Sequence, residues 1–132
     1  MKIETLEGRL LDAAVAMSEG WTCSTGMSVN EFTKWFTPSG ETAICAPLNY
    51  SSSWVDGGSM LDKHEVSIQP FDTTRGTLFG AAVVIPNSSG AYYTSLPGAP
   101  DYALAEGPTI LTAAMRAIAI ARLGKELAFN VA

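Results

Sequence analysis

Charge is scarce in this chain. Asp, Glu, Lys and Arg make up 16% of its 132 residues, and its eight Lys and Arg are scattered, with no basic run. Duplex nucleic acid is held by several Lys or Arg that displace counterions, so a general DNA or RNA binder is not expected. Histidine is nearly absent: His64 stands alone, and the two cysteines, Cys23 and Cys45, lack metal-ligand spacing. A zinc or di-iron site needs more ligands than these, so neither a metal nor a cofactor is expected. The thiols are expected to be free, as in a cytosolic protein. Long apolar runs are missing too. "AAVVIP" and "AIAIA" are far too short to span a bilayer, and "MKIETLEGRL" lacks the apolar region of a secretory signal. No Ser-His-Asp order, HExxH, GxSxG or Walker pattern occurs. Asp56, Asp62, Glu65 and Asp72 have no spacing that demands hydrolysis or Mg²⁺. No catalytic residue is assigned and a non-enzyme is expected.

What is present is a core. Hydrophobic residues make up 47% of the chain, enough for one folded domain over 1–132. Low charge has a second reading, a surface partly covered by another copy of the chain, and a homo-oligomer stays open. The net charge of −5 does not bar a small anionic ligand, because one or two placed Arg can hold a phosphate.

Periodicity sets out the elements. Leu6, Leu10, Ala13, Ala14 and Met17 follow i, i+4, i+7, i+8, i+11, which predicts a helix over 5–19. Thr5 is its expected N-cap and Gly20 its stop. Gly8 would fall mid-helix, where it allows a neighbouring backbone to approach closely. A short strand is expected near Trp21. "FTKWF" and "ETAICA" around "TPSG" read as a hairpin. Ser51 or Ser52 would cap a short helix whose buried face holds Trp54, Leu61 and Met60, with His64 at its charged, solvent-facing end. "EVSIQPF" alternates as a half-buried strand, and "TLFGAAVVIP" reads as an apolar, central one. The stretch 87–102 reads as a turn, a short strand at "AYYTS" and a Pro/Gly-rich loop. It is a lid with Tyr92, Tyr93 and Tyr102 available for stacking, or a plain surface connection. A final helix starts near Pro108 and stops at Gly124. The order suggests an α+β fold with helices packed on an antiparallel sheet.

Three blocks, "MKIETLEGRLLDAAVAMSEGW", "YSSSWVDGGSMLDKHEVSI" and "GPTILTAAMRAIAIARLG", resemble the phage ABA-sandwich family, related to the NinX-like accessory proteins of lambdoid phages. The resemblance spans both ends and the middle, while 23–47 and 72–105 contribute nothing to it. It implies a three-layer α/β/α sandwich around a mainly antiparallel sheet, a phage or prophage source, and action in the host bacterial cytoplasm. Small phage proteins of this size and architecture include oligomeric sponges for nucleotide-derived immune signals such as cyclic ADP-ribose isomers. By analogy of fold and lifestyle, this implies sequestration of such a signal, cyclic oligonucleotides included, and inhibition of antiphage defence.

Candidate ligand residues follow. Thr109, Thr112 and Arg116 form a stripe on the final helix, from its anion-favouring N-terminus to a guanidinium about 10 Å further on. That span suits a dinucleotide; the alternative is a solvated stripe with Arg116 paired to a surface carboxylate. Arg9 reads as a phosphate contact or as a salt bridge to Asp12 or Glu4 with its stem on the core. In "NYSSSW", Tyr50 and Trp54 could stack on a base while Ser51, Ser52 and Ser53 donate to phosphate. The alternative is a helix cap with Trp54 as a core anchor. Trp21 and Trp35 read as core. Arg75 in "DTTRGT" is a loop clamp or a solvated charge. The second function in view is an accessory protein that binds a host or phage protein through an apolar surface, suggested by the low charge and the apolar final helix.

Overall fold

The computed structural model describes residues 2–23, 35–41, 49–85 and 101–126. The fold is α+β. A 3₁₀ turn, Ile3–Thr5, precedes helix α1, Gly8–Ser18. The two-residue strands β1, Thr22–Cys23, and β2, Trp35–Phe36, pair antiparallel. Helix α2, Trp54–Lys63, follows. Strands β3, Ser67–Thr73, β4, Gly76–Val84, and β5, Tyr102–Gly107, form an antiparallel sheet in the order β3-β4-β5. Helix α3, Ile110–Leu123, follows β5. The apolar run at β4 takes the central place expected of it, and Thr73 to Gly76 closes the β3–β4 hairpin, with φ of +115° at Gly76. No helix among the described residues is long and apolar enough to cross a membrane.

Helix α3 is the hub. Residues 111–121 are buried apart from half-buried Arg116. One side packs on β4 and β5, and α1, α2 and the opening turn pack against the rest. The pairs Ala81–Ala105 and Val83–Ala103 turn their side chains to α3, and small residues there let the helix sit close to the sheet. Gly107 shows how close: a Cβ there would lie 2.7 Å from the backbone nitrogen of Ala113.

Several local expectations are corrected. Chain 5–19 is not one helix. Thr5 donates its hydroxyl to the Lys2 carbonyl within the 3₁₀ turn, and α1 starts at Gly8 with Glu7 at the N-cap. Gly8 has φ of +58° and open space around it, so it serves backbone direction rather than close approach. Ser53 caps α2 by accepting from the Asp56 backbone nitrogen. Trp54 is not a core anchor; it is 59% exposed, while Met60 is buried. His64 is not solvent-facing: its side chain is 4% exposed and bonds Glu19 at 2.6 Å. β5 was not expected: it begins at Tyr102, where the stretch read as a loop ends, and Ala103 and Ala105 gain a partner strand and a helix to pack on. β2 pairs with β1; the second arm of the expected hairpin, in 42–48, lies outside the described residues, as do Cys45, the "AYYTS" strand, Tyr92 and Tyr93.

Candidate functional site: the outer face of the sheet

Alternation sends every second side chain of the sheet away from α3. The register places Ser67, Gln69 and Phe71 of β3 on that outer face, beside Ala82, Gly80 and Leu78 of β4. On the other flank Leu104 and Glu106 of β5 pair with Ala82 and Gly80. Leu104 is 59% exposed, and Phe71 and Val84 are exposed as well. Gly80 and Ala82 form a low floor between taller Phe71, Leu78 and Leu104. A cavity of about 850 Å³ opens over this floor, and Glu4, Thr5, Glu106, Pro108 and Arg116 also line it.

Arg116 answers the question its position poses. It leaves the buried helix α3 and crosses to two backbone carbonyls. Nε donates to Leu6 and Nη1 to Glu106, each at 2.8 Å. Neither bond is to a carboxylate, so Arg116 is not the surface ion pair of a solvated stripe. It ties the turn before α1 to the end of β5. Burial pulls its pKa below the ordinary value, and the nearby Glu7 carboxylate opposes this in part.

Of the described residues picked from the sequence as ligand contacts, Arg116 alone lines this cavity. Thr109 is the N-cap of α3: its hydroxyl accepts from the Thr112 backbone nitrogen and donates to the Thr112 hydroxyl. Thr112 is buried rather than part of an open stripe. Arg75 sits at the tip of the β3–β4 turn, its backbone nitrogen donating to the Thr73 hydroxyl. Arg9 is exposed on the first turn of α1, and Asp12 accepts from the Ser51 backbone nitrogen. Tyr50 is buried, its pKa raised by burial and by the charges of Glu19, Asp56 and Asp12. Trp54 is exposed. Ser52 is exposed, its backbone nitrogen bonded to Asn49.

The sequence reading missed Phe71, Leu78, Gly80, Ala82, Leu104 and the carboxylates Glu4 and Glu106. One signal was present: β4 is apolar on both faces, which demands a cover for the second.

Away from the sheet, Glu19 at the end of α1 bonds both Lys63 and His64 of α2. Burial pushes the Glu19 carboxyl up, but the two hydrogen bonds and both positive charges outweigh it and hold the pKa below the ordinary value. No cluster of three metal-ligating side chains occurs among the described residues.

These features define a small α+β domain with an open, mainly apolar cavity on its sheet. The chain belongs to the family described as Bacteriophage P22, NinX, whose model matches residues 2–122. No curated protein matches it.

Proposed function

We propose that this phage accessory protein works by binding rather than catalysis, and that its binding surface is the outer face of the sheet, which takes a host or phage protein. The exposure of Leu104, Phe71 and Val84 on one face carries this reading. Apolar side chains exposed together, around a low floor, favour protein contact. The test is capture of a stoichiometric partner from infected cells by the tagged chain, repeated with Leu104→Glu. The expected result is one partner held by the native chain and lost by the variant, with both chains folded by circular dichroism. Equal capture by both chains would move the contact elsewhere.

A second reading is favoured by the cavity itself. Its volume of about 850 Å³ lies within the range of small-molecule sites, and Arg116 has N–H groups beyond the two spent on carbonyls. In this reading the protein sequesters a nucleotide-derived immune signal in the host cytoplasm, as a cyclic ADP-ribose or cyclic oligonucleotide sponge, and so inhibits antiphage defence. Glu4 and Glu106 on the same lining weigh against an anion. A thermal shift with these nucleotides, abolished by filling the floor with Gly80→Val, would favour this reading over the first.

A further inference from the structure

We infer that the partner segment seated on the outer sheet face presents an apolar side chain with a Lys or Arg beside it. The inference rests on the protein-binding reading above and specifies the partner's chemistry. The floor accounts for the apolar half. Gly80 and Ala82 leave a depression flanked by Phe71 and Leu78 on one side and Leu104 on the other. An apolar side chain can seat there.

The charges around that depression account for the other half. Glu4 and Glu106 both line the cavity and are exposed. Glu7 lies close enough to act on Arg116. Arg116 is the one cation among the described lining residues, and two of its N–H groups are bound to carbonyls. Among the described lining residues, two carboxylates against one guanidinium make this side of the face acidic, in a chain already at −5. Charge complementarity then selects a basic partner and repels an acidic one.

The register fixes how near the two halves are. Gly80 pairs directly with Glu106 across β4 and β5, and paired residues stand about 5 Å apart. An apolar group over Gly80 therefore has a carboxylate as its immediate neighbour. A Lys or Arg three or four positions along a partner helix falls about 5–6 Å from the apolar residue, and its aliphatic stem can lie along Leu104.

The test is an amide chemical-shift titration of the full chain with three acetylated, amidated peptides: Lys-Phe-Ala-Phe-Lys, Gln-Phe-Ala-Phe-Gln and Glu-Phe-Ala-Phe-Glu. The Lys peptide is expected to shift Gly80, Ala82 and Leu104 and to bind about threefold to fivefold more tightly than the Gln peptide, the scale of an exposed ion pair. The Glu peptide is expected to bind most weakly. The Lys advantage should vanish in Glu4→Gln/Glu106→Gln and at about 0.5 M NaCl. If the Gln or Glu peptide binds the same residues as tightly as the Lys peptide, the basic partner is wrong and the apolar binding face stands. An advantage that survives in the double variant also overturns the inference. If no peptide moves Gly80, Ala82 or Leu104, the inference and the binding face fall together.

Discussion

Arg116 and Leu6 are joined by a 2.8 Å bond from a guanidinium Nε to a backbone carbonyl, across 110 positions of sequence. The same guanidinium reaches Glu106 in the edge of the sheet as described. One side chain thus connects the opening turn, the central helix and β5.

Arg116→Met should destabilise the fold. It leaves the Leu6 carbonyl, in a partly buried place, and the Glu106 carbonyl without their donor, a loss of about 1–3 kcal/mol. Arg116→Lys should recover only part of this, because an ammonium does not reproduce the planar fork. Urea denaturation of the three chains checks both statements.

Gly57→Ala and Gly107→Ala should be far more damaging than Gly80→Ala. A Cβ at Gly57 would lie 2.1 Å from the Tyr50 carbonyl oxygen, and one at Gly107 2.7 Å from the Ala113 nitrogen. At Gly80 the nearest atom is 3.7 Å away, an ordinary contact. The first two should cost about 3 kcal/mol or more, as overpacking against backbone does. Melting temperatures rank the three.

Thr109→Ala should weaken the start of α3 by about 1 kcal/mol, the usual value of an N-cap oxygen. It also removes the donor that the Thr112 hydroxyl accepts. Thr109→Ser should restore most of the loss, since it keeps the oxygen. Equal stability of all three chains in urea would show that the cap contributes nothing.

Glu19 makes the joint between α1 and α2 acid-sensitive. Its folded pKa is lowered, so its contribution is fully present above the ordinary glutamate value. It is lost as pH falls through the depressed folded value. Glu19→Gln should therefore lower stability at neutral pH and flatten the decline of stability toward acid. Chemical denaturation across pH 3 to 7, about the range in which carboxylates titrate, would reveal a slope unchanged by the substitution if the joint were inert.

Legibility differed between elements for physical reasons. α3, β3 and β4 were readable because their signals are local: apolar spacing, and Gly124 with φ of +85° at the end of α3; α2 was placed, but its cap is Ser53 and Trp54 faces solvent. β5 was not, because Ala103 and Ala105 have little strand preference and acquire their place from pairing with β4 and packing under α3. Thr109 and Thr112 sat on the helix as expected, but a helical wheel does not say which sides are covered. α3 is enclosed by both sheet and helices, so Thr112 is buried. His64 reads as an exposed end of α2 until Glu19, 45 positions earlier, meets it.

The sequence by itself determined the α+β class, the places of α3 and β4, and an apolar excess with few charges. Those properties follow from periodicity and composition, which act over a few residues. Tertiary structure alone decided that Arg116 bonds carbonyls, that Trp54 is exposed while Tyr50 is buried, and that β4's second apolar face opens onto a cavity beside Glu106. Each of these depends on segments distant in sequence meeting in space, and no local pattern specifies such a meeting.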